Sequence, residues 1–150
     1  MRKKIKVAIA GVGNCASALI QGIEYYNSNG NDSSMNPDLK IKESDGQSSM
    51  KDTANSSSTD NHIGLTSYNI GGYEPGDIEF VAAFDVADTK VGLDLSDAIF
   101  ASPNNAIKII DVPNFDVKVQ KGDVLDGAGK HFSEKVTISD NQTVDIAQVL

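Results

Sequence analysis

Residues Ile5 to Tyr26 read IKVAIAGVGNCASALIQGIEYY, and the order of signals in this stretch decides the fold. Ile5 to Ala10 is a short, β-branched, apolar run broken only by Lys6, which suits a buried strand better than a helix. Gly11, Gly13 and Ala16 follow at the spacing G-x-G-x-x-A. Ala16, Leu19, Ile20, Ile23 and Tyr26 then recur at helical intervals, which predicts an amphipathic helix with Ser17, Gln21 and Glu24 on its polar face. Strand, glycine turn and helix in this order make up the fingerprint of a dinucleotide-binding unit.

Each small residue has a physical task in such a turn. Gly11 lets the chain leave the strand sharply, and Gly13, lacking a Cβ, lets a pyrophosphate approach the backbone. Ala16 lets the helix sit close to the strand. The N–H groups around Asn14 to Ala16, with the positive end of the helix dipole, then face the anion.

Beyond the helix the composition changes. From about 27 to 61 the chain is rich in Ser, Asn, Asp, Lys and Gly, and its few apolar residues (Met35, Leu39, Ile41, Met50) show no period. Such a stretch buries too little apolar area to offset its ordering entropy, so a disordered polar insertion is expected there. Order should resume near Gly64, and Ile78 to Phe84 reads as a second buried strand ending at Asp85. An acidic residue at the tip of strand two takes the ribose hydroxyls of a dinucleotide, usually about 20 residues after the glycine turn. Asp85 comes roughly 70 residues after it, and removing the polar insertion with its flanking turn restores the usual spacing. A carboxylate there would repel a 2′-phosphate, which favours NAD over NADP. The plainer reading of Asp85 is a solvated loop acid.

Asp88 is expected to cap the next helix, with Val91, Leu95, Ala98 and Ile99 on one face and Asp94 and Asp97 on the polar side. Pro103 and Asn104-Asn105 should end it. Ala106 to Val112 reads as extended, Val117 to Gln120 as a third strand, and Val144 to Leu150 as the beginning of a helix with Thr143 as a possible cap. Gly127 and Gly129, in the loop after that strand, could approach a cofactor or simply turn the chain. The elements together describe an α/β chain, the N-terminal mononucleotide half of a doubly wound parallel sheet of Rossmann type. In that fold strand four lies beside strand one, so this half is expected to be incomplete without downstream chain and to leave an open edge on strand one.

Composition narrows the partners. A net charge of -8 over 150 residues argues against nucleic-acid and anionic-membrane surfaces, and no run approaches the length of a membrane span. Cys15 is the single cysteine, so no internal disulfide forms and a reducing, cytoplasmic setting is expected. The opening Met1-Arg2-Lys3-Lys4 imitates a secretory signal, but Lys6 and Asn14 interrupt the apolar run that would follow it. His62 and His131 are isolated from other ligating residues, so no metal site is expected.

Three segments together, GVGNCASALIQGIEYY (Gly11 to Tyr26), FVAAFDVADTKVGLDLSDAIFASPNNAIKI (Phe80 to Ile109) and LDGAGKHF (Leu125 to Phe132), closely resemble the myo-inositol-3-phosphate synthase family of bacterial and archaeal type. The resemblance implies conversion of D-glucose 6-phosphate to 1L-myo-inositol 1-phosphate with NAD as a retained cofactor. The implied steps are oxidation at C5, enolisation, aldol ring closure and reduction, so that the enzyme is an isomerase of inositol biosynthesis. It implies Gly11, Gly13, Asn14 and Cys15 at the pyrophosphate, Asp85 at the adenosine ribose and Asp94 near NAD. It also implies a homotetramer whose catalytic and tetramerising half lies beyond residue 150. No catalytic residue is assigned here, and these 150 residues alone are expected to be inactive. A stand-alone NAD-binding sensor or regulatory module, and a different NAD-dependent oxidoreductase, are the other readings of the same turn.

Overall fold

The computed structural model describes residues 3–27, 64–125, 129 and 134–150. The expected insertion at about 27–61, together with His62, Gly127 and His131, lies outside the described residues, except for Asn27. In chain order the elements are β1 (Ile5–Ala10), α1 (Asn14–Asn27), a 3-10 turn (Pro75–Asp77), β2 (Ile78–Asp85), α2 (Leu95–Ala98), β3 (Val119–Lys121) and α3 (Ile146–Val149). The strands form one parallel sheet in the order β1-β2-β3, as expected for this half of a Rossmann-like α/β fold.

Register sets which side chains meet. Ile5 lies opposite Ile78, Val7 opposite Phe80 and Ile9 opposite Ala83. Between Val7 and Ala8 the register shifts, so that Val81 is the extra residue of a bulge and stays 40% exposed. Ile9, Phe80 and Ala83 join Val12, Ala16, Ile20, Ile23, Leu95, Ala98, Ile99 and Val119 in one core. β1 is covered on one face only: Ile9 packs into the core, whereas Ala8 and Ala10, which alternate to the other face, are exposed.

Four local expectations need correction. Ser17 and Gln21 are buried, whereas Leu19 is 52% exposed, so the inward face of α1 is rotated from the one expected. Gln21 explains why a polar residue is tolerated inside. Its Nε2 donates to Ile107 O at 3.1 Å and to Ser17 Oγ at 3.2 Å, and its Oε1 accepts from Ile109 N at 2.6 Å. The amide thus supplies the hydrogen bonds that a neighbouring strand would otherwise give to this extended segment.

Asp88 caps no helix. The chain makes a single turn over Ala87 to Val91, with Lys90 N and Val91 N both donating to Ala87 O. Gly92 then sits at φ +93°, and its N–H donates to Val119 O at 2.8 Å, which stops helical propagation. The helix starts only at Leu95, with Asp94 as its cap. In the same way α3 is capped by Asp145, whose carboxylate accepts from Ala147 N at 3.0 Å, and not by Thr143. The third strand begins at Val119, two residues later than expected, because Val117 is drawn to Asp94 and Lys118 bridges to it.

Candidate dinucleotide site at the glycine turn

The turn between β1 and α1 lies at the C-terminal end of the sheet, where ligands of open α/β folds bind. Gly11 has φ +89°, a value that L side chains rarely adopt, and its N–H donates to Phe84 O at 2.8 Å. That bond continues the β1-β2 ladder by one residue before the chain bends away. The first backbone bond inside α1 is Ser17 N to Gly13 O at 3.0 Å. The N–H groups of Asn14, Cys15 and Ala16 precede it, at the positive end of a helix of 14 residues.

A Cβ placed on Gly13 would meet nothing within 4 Å, so the backbone here faces open space. This is the cradle a close-approaching pyrophosphate requires, and the residues present fit a dinucleotide. Cys15 is exposed at the same helix start. The Asn14 side chain is committed elsewhere: its Nδ2 donates to Asn105 Oδ1 at 2.8 Å and its Oδ1 accepts from Asn105 N at 2.9 Å.

Asp85 reaches the turn from the tip of β2. Its Oδ2 accepts from Val12 N at 2.8 Å, and its Oδ1 from Val86 N at 2.8 Å and Ala87 N at 2.9 Å. It is therefore an organising residue of the turn rather than a solvated loop acid. Lys90 Nζ stands 3.9 Å from Asp85 Oδ2, and both side chains are nearly buried. Burial pushes the Lys90 ammonium below the ordinary lysine range, with the Asp85 charge opposing that shift.

Sequence reasoning missed Lys90, Asn104 and Asn105. Asn104-Asn105 read as a helix stop, and nothing but its place five residues after Asp85 marks Lys90. All three fold back onto the glycine turn, where Asn104 Nδ2 donates to Val12 O at 2.9 Å and Lys90 Nζ donates to the same oxygen at 2.8 Å.

Asp94 holds a different segment, the start of α2 and the chain leading into β3. Its Oδ1 accepts from Ser96 N, Ser96 Oγ and Phe115 N, and its Oδ2 from Val117 N at 3.0 Å. Burial raises its pKa, but the bonds from Ser96, Phe115 and Val117 outweigh that effect and hold the carboxyl below its usual value. A depressed pKa stabilises the fold at pH above the unfolded carboxylate range, and this contribution is lost as pH falls through the lowered folded value. Asp94→Ala should therefore cost about 2–4 kcal/mol near neutrality, from a lost cap and orphaned loop N–H groups, and should flatten the acid limb of the stability curve. Urea denaturation from pH 7 to pH 2 checks both, and an unchanged acid limb would count against this account.

A concavity of about 640 Å³ lies at the other end of the sheet, lined by Ile5, Leu19, Tyr26, Ile70, Tyr73 and Ile78 among others. It includes no residue of the glycine turn.

Over 147 residues, 98% of its length, the chain is 44% identical to the inositol-3-phosphate synthase of Mycolicibacterium smegmatis. Over the same span it is 45% identical to the inositol-3-phosphate synthase of Mycobacterium tuberculosis strain H37Rv. The chain resembles inositol-3-phosphate synthases. It spans about a third of the length of these synthases, 33% in both cases. Among solved structures, the crystal structure of Ari2 matches with a TM-score of 0.56 at 32% identity, over 81% of this chain and 30% of that one. No family model matches the chain. The resemblance to the synthases thus extends over nearly all of this chain, including the glycine turn and the Asp85 strand tip.

Proposed function

We propose that this chain is the NAD-binding part of an enzyme that isomerises D-glucose 6-phosphate to 1L-myo-inositol 1-phosphate. The observation that carries the reading is the open backbone at Gly13, ahead of the α1 N-terminus, in a chain similar to named inositol-3-phosphate synthases over 98% of its length. When bound, NAD would supply removal and return of a hydride, which leaves the overall isomerisation without net redox change.

The residues of this chain bind and orient. Gly11 and Gly13 shape the turn, and the N–H groups of Asn14 and Cys15 face the pyrophosphate. Asp85 holds Val12 and the strand tip, and three of its roughly four lone-pair sites are used, which leaves room for a ribose hydroxyl. Asp94 serves the cofactor region indirectly, through the segment that it pins at Phe115 and Val117. The cations and donors that hold a sugar phosphate and stabilise an oxyanion are assigned to no residue of this chain. The same reading has the complete protein act as a cytoplasmic homotetramer in inositol biosynthesis.

Calorimetric titration of the full-length protein with NAD and NADP tests the cofactor half of this proposal. NAD should bind at least about tenfold more tightly, since a 2′-phosphate beside Asp85 meets like charge. Equal or tighter binding of NADP would overturn the role given to Asp85. Incubation with glucose 6-phosphate should then yield inositol phosphate. Tight NAD binding without that product would overturn the isomerase assignment alone.

A further inference from the structure

Two successive peptide units of the glycine turn are held by side chains from β2, from the turn after it and from the loop after α2. The carbonyl of Val12 accepts from Lys90 Nζ at 2.8 Å and from Asn104 Nδ2 at 2.9 Å. Lys90 Nζ also donates to Asn104 Oδ1 at 2.9 Å, and Asn104 Nδ2 reaches back to Ile99 O at 3.0 Å. On the preceding peptide, the N–H of Val12 donates to Asp85 Oδ2 at 2.8 Å. Both flanks of Val12 are thus fixed, and its side chain is fully buried in the core.

The neighbours of Val12 explain why such a bracket is needed. Gly11 and Gly13 are the residues with the greatest backbone freedom, so a peptide between them can rotate at little steric cost. The Val12 carbonyl shares a planar trans peptide with the N–H of Gly13, and the two bonds point in opposite directions. Drawing the carbonyl toward buried Lys90 therefore turns the Gly13 N–H away from the protein interior. A flip of that peptide would present a carbonyl oxygen to an incoming phosphate instead of a donor. Burial of an ammonium is costly, and water could satisfy an exposed turn carbonyl, so the charge at this place calls for more than simple solvation of the backbone.

We propose that Lys90 and Asn104 are positioning residues for the dinucleotide: by clamping the Val12 carbonyl they aim the Gly13 N–H at the pyrophosphate. The proposal rests on the reading of the turn as a pyrophosphate site. Neither residue touches the cofactor. Lys90 is 4% exposed and acts through the backbone. The Asn14–Asn105 amide pair docks the same loop onto the start of α1 and keeps Asn104 in place.

The test uses the full-length protein with Lys90→Met and Asn104→Ala, and ADP and adenosine as probes. ADP carries the pyrophosphate that the turn would recognise, whereas adenosine lacks it. Lys90→Met should weaken ADP and NAD about tenfold and adenosine less than about twofold, since the lost bonds involve a charged donor. A purely structural role would weaken all three alike. In the unliganded protein, amide exchange at Val12 should accelerate about tenfold relative to Ala83 in β2, a ratio that a general loss of stability does not change. Asn104→Ala leaves Lys90 beside Asp85 and should weaken ADP about threefold or more. Unchanged ADP affinity in Asn104→Ala overturns the proposal even if Lys90→Met fails to fold. If the unmutated protein binds neither ADP nor NAD, the cofactor reading fails and takes this proposal with it. If it binds both and the variants bind as well, only the positioning role is overturned.

Discussion

Gly13→Val is expected to abolish measurable NAD binding while leaving the protein folded. The two halves of that expectation come from the same observation. A Cβ at Gly13 meets nothing within 4 Å, and Gly13, unlike Gly11, is not among the glycines at positive φ. The substitution therefore requires neither a strained backbone nor displacement of a neighbour. The open space it would fill is the space proposed for the pyrophosphate, so the valine methyl groups would compete with the ligand and nothing else. A loss of affinity of about 100-fold or more, about 2.7 kcal/mol, is expected. The midpoint of thermal unfolding should move little, because replacing Gly at a helix start by a larger residue typically costs well under about 2 kcal/mol. Calorimetry with NAD, beside circular dichroism of the same sample, reads both. Binding at unmutated strength would show that the cofactor does not approach this backbone. Gly11→Val makes an instructive contrast, because φ +89° strains any side chain and both fold and binding should suffer.

Asp85→Ala should be the most destabilising single substitution of the turn, by about 3–5 kcal/mol. Three backbone N–H groups lose their acceptor, those of Val12, Val86 and Ala87. Lys90, nearly buried and 3.9 Å away, loses its counter-charge. Removing one member of a buried pair leaves the other charge uncompensated, which outweighs what the pair itself contributes. The midpoint of thermal unfolding should fall by roughly 10 °C. In the double variant Asp85→Ala with Lys90→Met, part of that loss should return, since no lone charge remains buried. Urea denaturation of the four proteins closes the cycle. A strictly additive double variant would mean that Asp85 and Lys90 do not interact, and a loss below about 1 kcal/mol in Asp85→Ala would overturn the organising role assigned here.

The strands and the first helix were legible because their signals are local. The apolar run Ile5–Ala10, the glycine pair and the run ending at Asp85 each lie within a few residues; the structure has β1 and β2 at or within one residue of those bounds, and α1 begins at Asn14, two residues before the periodic run. A parallel order β1-β2-β3 follows from the same pattern, since a helix between two strands returns the chain in the same direction. Asp85 was legible as well, but only as a carboxylate at a strand tip. That it would hold the N–H of Val12, 73 residues earlier in the chain, is a fact of register between β1 and β2.

What the sequence by itself determined, then, is the strand–turn–helix unit with its two special glycines, along with the acid opposite them. Periodicity and backbone freedom are properties of neighbouring residues, and they survive without any knowledge of the rest of the chain. Tertiary structure alone decided where the polar side chains go. Gln21 is buried because its amide pairs with the extended segment at Ile107 and Ile109, more than eighty residues away. Asp94 leaves the polar face expected of it because its partners, Phe115 and Val117, lie more than twenty residues away. Lys90 and Asn104 meet at the Val12 carbonyl only once β2 and the loop after α2 have folded over the turn. A polar group is placed by whichever unsatisfied partner the fold brings to it, and that partner is seldom close in sequence.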